Sequence, residues 1–485
     1  AYRFTEATDT DANGLVENTK FGHGWVEGGG LYPPHEEIYM QGLWVAASRD
    51  LAQMAEALKA QEAVARARAN AERTRAATER TYWLTQRGFY AFATKKPAKD
   101  AEEAEPGPNR ARRQARLNAL KDATGYDENT VLPAVPLWFK TLSDERAQLQ
   151  LDQIGSAALA TDWGTRILSD ESQLYDPLSY HAGSVWPLFT GWASMGAYAY
   201  GRPHIGFQAL MANALLTRQG AEGYVTELLS GDFNAPFGRS SHHQIWSEAM
   251  VITPAVRGLL GLETGNAGRA LRFAPQLPAD WNSVAVRNVR FGEALYSLTY
   301  ERTAGRIKIN FKRHKTDAVA PAKPASDAAH STIISVAPAL PLDARVRGVS
   351  LQGRPATFTS TRVGDVQRPE LSFVAELPDT EIVFDYDEGT EVYLAPQLLL
   401  RGETNQGLRI LRSRAEAGAL RLLLEGRGGR TYTLGVRTPH RLGSAPDVSL
   451  KIGGRGEQWL AVTFNSPASK YVRREVSIPL LPAGK

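Results

Sequence analysis

Cysteine is absent from all 485 residues, which excludes disulfides, thiolate nucleophiles and thiolate metal sites together. A chain without thiols folds equally well in reducing or oxidising surroundings, so the compartment stays open between cytoplasm and periplasm or exterior. Long apolar runs are missing too. Nothing approaches the ~18 residues that suggest a membrane helix, and the opening Ala1-Tyr2-Arg3-Phe4 lacks the basic and apolar stretches of a signal peptide. Nor is there an excess of one charge: 56 Lys and Arg stand against 52 Asp and Glu, a net +4, far from the concentrated basic face of a nucleic-acid binder. The expectation is a soluble chain with neither membrane nor nucleic acid as partner and an open oligomeric state. Also absent are a Gly-rich phosphate loop, a paired-histidine zinc motif and a nucleophile-elbow serine, so nucleotide, metalloprotease and serine-hydrolase chemistry lack their anchors. No cofactor is implied, although Asp-rich stretches such as Asp9-Thr10-Asp11 leave room for a loop-bound Ca²⁺.

What is present is an ordinary globular composition, 43% hydrophobic and 22% charged, at a length that suits more than one domain. The texture changes near residue 265, which divides the chain into a helical region, 1–264, and a strand-rich region, 265–485. In the first, Trp44, Ala47, Leu51, Met54 and Leu58 recur at three- and four-residue steps and predict a helix with one buried stripe beginning near Glu36. An Ala/Arg/Glu-rich, more solvated helix follows over 59–81, then a strand-like Gly88 to Phe92. Lys95 to Arg116 has almost no large apolar residue and predicts a mobile surface insertion, about 95–116, without chemistry. Further helices are predicted over about 144–160, 182–200, 204–219 and 243–261. Beyond Thr264, segments 284–291, 295–300 and 306–311 alternate like successive strands. The Pro/Ala-rich 319–325 reads as a loop among them, and 265–485 has room for one or two β-sandwiches.

Aromatic and acidic loops are dense between residues 21 and 44 and between 161 and 248. One runs from Phe21 through Trp25, Glu27 and Tyr32-Pro33-Pro34-His35 to Glu36-Glu37; another carries Glu227 and Asp232, with Ser240-Ser241-His242-His243 opening the next helix. Two carboxyl groups flanking a glycosidic bond, with aromatic faces to hold sugar rings, is what glycoside hydrolysis requires. Each feature also has a plain structural explanation. Pro followed by Glu-Glu is an ordinary helix start, an acidic loop residue is usually solvated, and a histidine pair at a helix opening is usually polar trim. Arg166 fits a loop-holding pair with Asp162 or Asp170 as well as it fits a sugar contact.

Four blocks, 161–169, 180–187, 226–232 and Trp246-Ser247, come in the order seen in glycogen debranching enzymes, and the chain resembles their amylo-α-1,6-glucosidase part over roughly residues 10–262. More broadly it is similar to the six-hairpin glycosidases that include glucoamylases and trehalases. The resemblance implies an (α/α)6 barrel and an inverting hydrolase acting on an α-glucoside or related oligosaccharide or polysaccharide. It implies Glu227 as general base, since Glu227 stands before two apolar residues and a Gly-Asp turn as the family's base does. The family's acid is an aspartate after a Gly-Leu-Ile-Pro-Asn-like segment; here Gly14 to Asn18 matches that segment but no aspartate follows. Glu37, ahead of Glu36 and Glu27, is the implied substitute. Trp25, Glu27, Trp163, Arg166, Tyr180, His181, Trp186 and Asp232 are the implied substrate-binding residues. A full (α/α)6 barrel needs twelve helices, and only six or seven are placed before residue 265, so the chain is expected to lack the early helices. The competing readings are a non-catalytic carbohydrate-binding barrel, given the missing aspartate, and a polysaccharide lyase, for which Tyr180-His181 and His242-His243 are the candidate proton carriers.

Overall fold

Glu37 sits where a short strand, Glu36–Glu37, becomes a helix at Ile38. A computed structural model describes residues 1–18, 24–107, 109–265, 269–291, 294–314, 333–375, 377–452, 458–467 and 470–482. Among them the helices are α1 (Tyr2–Glu6), α2 (Ile38–Ala57), α3 (Gln61–Thr81), α4 (Arg110–Leu120), α5 (Ala134–Trp138), α6 (Asp144–Ile154), α7 (Pro187–Ala199), α8 (Pro203–Leu216) and α9 (Ile245–Thr253). The predicted start of the Phe21 loop, through His23, and the Pro/Ala-rich 319–325 lie outside the described residues.

The main helices fall where periodicity places them, but α2 turns a different face inward. Trp44, Val45, Ser48, Ala52 and Ala55 are buried, whereas Ala47, Met54 and Leu58 face solvent. The reason is its partner. Helix α3 packs on α2 and buries a stripe of small residues, Ala67, Ala71, Thr74 and Ala77, so the two backbones approach over small side chains rather than over Met54 and Leu58. Residues 95–116 also differ from the expected mobile insertion. Lys95, Ala104 and Arg113 are buried, α4 carries Arg113, Leu117 and Leu120 on one buried stripe, and the Arg113 guanidinium meets Asp176 at 3.1 Å. The stripe escaped notice because its first member is an arginine whose aliphatic stem, not its charge, does the packing.

Two compact units divide the chain: Ala1–Pro254 with Pro396–Leu411, and Ala255–Ala395 with Arg412–Lys485. The second holds most of the strands. Strands Ser283–Phe291, Ala294–Thr303 and Arg306–His314 run antiparallel, as their alternation predicts, in a six-stranded sheet. Phe311 of that sheet meets Phe273 and Phe373 of a second six-stranded sheet, with ring centroids 6.2 Å apart in each case. Two four-stranded sheets carry most of the strands beyond Glu391. The observed architecture is thus a helical N-terminal region followed by a multi-sheet β region.

Candidate active site

Strand Glu36–Glu37 pairs with Ala93–Thr94, and α2 begins immediately after Glu37. The two neighbouring glutamates meet different surroundings because successive strand residues point to opposite sides. Glu36 accepts hydrogen bonds from Asn13 Nδ2 and Thr94 Oγ1, both at 2.7 Å, so its carboxylate fastens the strand. Glu37 is 0% exposed. It accepts from Asn18 Nδ2 at 3.1 Å and from the Trp25 backbone N–H at 3.3 Å. Burial pushes its carboxyl up to about 7, against the opposing pull of Asn18 and the Trp25 and Val26 amides. Gly24 makes this closeness possible, for a Cβ there would lie 1.6 Å from Glu37 Oε1.

The later half of the site is an irregular ladder. Arg166 bridges Val185, and Val185 bridges Leu229. The Glu227 N–H then donates to Ser241 O at 2.9 Å, while Ser241 N–H donates to Glu227 Oε2 at 3.1 Å. The first three sequence blocks are therefore adjacent segments of one assembly, and Ser241, between the third block and the fourth, anchors Glu227. Tyr180 completes the clamp on Glu227, its hydroxyl donating to Oε1 at 2.8 Å. Burial, the Glu227 bond and charge, and the charge of Glu27 all raise the Tyr180 hydroxyl. The Tyr39 hydroxyl is raised by burial and then by Glu37 and Glu27, so Glu27, itself solvent-exposed, acts on tyrosines at both ends of the site.

Aromatic rings connect those ends. The Trp25 ring packs edge-on against Trp186 and Phe189, at 5.2 and 5.0 Å, and lies 6.0 Å from Trp246. Trp186 packs edge-on against Tyr180 at 4.6 Å. Trp186 is itself fully buried, with Nε1 donating to Ser184 Oγ at 2.8 Å; it backs Tyr180 and offers no surface to a sugar. His181 is 9% exposed, and burial lowers it to about 4, so it is neutral at physiological pH. Trp25 Nε1 and His181 Nδ1 are buried without a hydrogen-bond partner among the described residues. Native structures rarely leave buried donors or acceptors unpaired unless water or a ligand completes them.

Two expected sugar contacts lie beneath the site. Trp163, 1% exposed, donates from Nε1 to Ser230 O at 2.9 Å. Arg166, 3% exposed, donates from Nε to Gly231 O at 2.8 Å and from Nη1 to Ala157 O at 2.7 Å, and pairs with Asp170 at 3.4 Å. Both are spent on holding the loop that carries Asp232, whose carboxylate accepts from the Tyr175 hydroxyl at 2.7 Å. Asp162 pairs with Arg409 instead. Asn18, Tyr39, Ser241 and Trp192 are parts of the site that sequence reasoning passed over. Only Trp192 carried a signal, lying one helical face along from Trp186 and Phe189 at the start of α7. Among the described residues no group of three or more His, Asp or Glu side chains could hold a metal, and Asp9 is engaged by Arg73 at 3.0 Å.

Residues 10–247 match the family model of the mannosylglycerate hydrolase MGH1-like glycoside hydrolase domain. No curated protein matches the chain. Solved structures similar to it include a GH78 family rhamnosidase of Bacillus sp. GL1, with 16% identity over 64% of this chain and 28% of that one, TM-score 0.44. An α-L-rhamnosidase from Dictyoglumus thermophilum has 10% identity over 79% and 36%, TM-score 0.43. The GH63 mannosylglycerate hydrolase from Thermus thermophilus has 17% identity over 45% and 44%, TM-score 0.33. The chain spans less than half the length of each of these proteins. The matched family is broader ground than the glycogen debranching enzymes that the sequence blocks resemble: residues 10–247 are similar to a glycoside hydrolase domain of the MGH1-like type.

Proposed function

We propose that the helical region hydrolyses a glycosidic bond of an α-glucoside or related oligosaccharide with inversion, Glu37 serving as general acid and Glu227 as general base. The observation that carries this reading is the contrast between the two carboxyl environments. Glu37 is held in a dry pocket that raises it to about 7, so much of it is protonated at neutral pH, as a proton donor must be. Glu227 is only part-buried, and its two carboxylate oxygens each accept a hydrogen bond, from Tyr180 Oη and from Ser241 N. A dry carboxyl facing a part-exposed, hydrogen-bonded one is the contrast of environments that divides acid and base roles. The roles of Glu27, in ring-hydroxyl binding, and of Tyr180, Trp25 and His181, in lining the sugar subsite, belong to the same reading, as does the six-hairpin barrel.

Full burial of Glu37 has a mechanistic cost: the Gly24–Val26 backbone must lift for its proton to reach a leaving oxygen. Glu27 is the exposed competitor, and leaving-group chemistry separates the two. A glycosyl fluoride departs without protonation. Glu37→Gln should lose hydrolysis of ordinary glycosides by about 10²–10⁴-fold, the usual contribution of general acid catalysis, while retaining hydrolysis of the matching glycosyl fluoride. If Glu27→Gln shows that pattern instead, Glu27 is the donor. A screen of α-linked disaccharides and oligosaccharides, with NMR of the anomer first released, tests the reaction class. Retained configuration, an unsaturated product absorbing in the ultraviolet, or near-normal hydrolysis by Glu227→Gln would each remove the assignment.

A further inference from the structure

Immediately behind the Glu227 loop lies an open cleft of about 510 Å³ whose wall includes Gln219, Tyr224, Thr226, His242, His243 and Arg401. We infer that this cleft is a subsite for a uronic acid residue of the substrate, with Arg401 taking the carboxylate. The inference rests on the hydrolase reading given above and adds the substrate class.

The cleft has the size of a small-molecule pocket, and Arg401 brings a permanent positive charge to its wall, while His243 faces the Glu248 carboxylate at 3.5 Å. Arg401 and two histidines line it, and no Asp or Glu does. Arg401 is delivered by a tightly held turn. Gly402, at φ +87°, turns the chain; its N–H donates to Asn234 O at 2.8 Å, and Asn234 N–H donates back to Glu403 O at 2.8 Å. The one carboxylate close in sequence, Glu403, is occupied by the Leu400 N–H at 2.8 Å. Among the described residues Arg401 therefore has no ion-pair partner, and its planar fork of donors suits a carboxylate. Gln219 is held by its amide donating to Leu399 O at 3.2 Å, which ties the cleft wall to the same turn. Tyr224, half-exposed, packs against the His243 ring at 4.7 Å and supplies a flat face for the CH side of a sugar ring.

The cleft is also joined to the catalytic loop. Thr226 in its wall precedes Glu227, and Ser241, whose N–H holds Glu227 Oε2, precedes His242. A glycan seated on Arg401 thus lies against the two segments that fix the base.

The test is binding of D-glucuronate against D-glucose to the full chain, followed by ligand-observed NMR and calorimetry, in wild type, Arg401→Ala and Arg401→Lys. The expected result is at least about tenfold tighter binding of glucuronate in wild type, no preference in Arg401→Ala, and partial preference in Arg401→Lys, with circular dichroism unchanged throughout. Equal binding of the two sugars, or a preference that survives Arg401→Ala, overturns the proposal. The hydrolase reading fails on a different measurement. Loss of hydrolysis in Glu227→Gln without any glucuronate preference removes the subsite alone, whereas a clear preference together with normal hydrolysis by Glu227→Gln removes the catalytic assignment alone.

Discussion

Glu37 and His181 pull the acid stability of the helical region in opposite directions. The folded state raises Glu37 from 4.5 to about 7, so its contribution is fully present below pH about 4.5 and is lost as pH rises through 7. The folded state lowers His181 from 6.5 to about 4, so its contribution is fully present above pH about 6.5 and is lost as pH falls through 4. Between about 4.5 and 6.5 the two slopes offset. Each fully expressed proton difference is worth roughly 1.4 kcal/mol per pH unit. Glu37→Gln should therefore unmask the histidine slope, losing stability on acidification across that window more steeply than wild type. Denaturant melts at several pH values decide it, and parallel profiles would mean that Glu37 is not so shifted. Gly24→Ala acts on the same carboxyl from the other side. Its methyl must displace the Glu37 carboxyl and crowds Asn18 Nδ2 at 2.8 Å, and kcat should fall by about tenfold or more with the alkaline limb of the pH–rate profile moved. An unmoved limb would show that the Gly24 contact has no part in tuning the acid.

At the scale of elements, the bridges joining 166, 185 and 229 tie the first three blocks of sequence together, and the bonds between Glu227 and Ser241 add the segment that leads into the fourth. Each places one strand-like segment or anchor against the next, and Glu227 is the residue pinched between Ser241 and Tyr180. Tyr180→Phe removes a hydrogen bond to a carboxylate, a class worth about 1.5–3 kcal/mol, and should reduce kcat by roughly 10–100-fold with a much smaller change in KM. A change confined to KM would make Tyr180 a sugar contact rather than a positioning residue. Those blocks were readable because loop chemistry that fixes a carboxylate leaves unusual residues in sequence: Trp, Tyr, His, Gly and Asp close together. The helices and first strands were readable by period. Helix α4 was not, because Arg113 hides a packing stem behind a charge, and the inward face of α2 was not, because a stripe of Ala and Ser carries little hydrophobic signal against Met54 and Leu58. Burial of Trp163 and Arg166 was equally hidden. Nothing local distinguishes an aromatic or arginine that meets a ligand from one that props the loop beneath it.

At the scale of the molecule, the least legible feature is the return of Pro396–Leu411 to the helical unit, because its contacts join residues more than two hundred positions apart. Asp162, in the first of the four blocks, accepts from Gln406 N and Gly407 N at 2.7 and 2.9 Å and pairs with Arg409, and Arg202 donates to Leu411 O. The segment also brings Arg401 to the cleft. The helical unit is thus not self-contained at residue 264, and a fragment ending there loses the partners of Asp162 and the Leu411 acceptor of Arg202, which keeps its pair with Asp152 at 2.6 Å. Arg409→Ala in the full chain isolates the effect. It leaves Asp162, 11% exposed at its side chain, without its cation, and breaking such a buried pair costs about 3–5 kcal/mol. Arg473→Ala, which removes a pair whose arginine is 41% exposed, should cost at most about 1 kcal/mol. Comparing the two variants by denaturant unfolding, with tryptophan fluorescence reporting on the Trp-rich helical unit, separates anchorage by the return segment from a general loss of charge. Equal, small effects would mean that the helical unit stands without it.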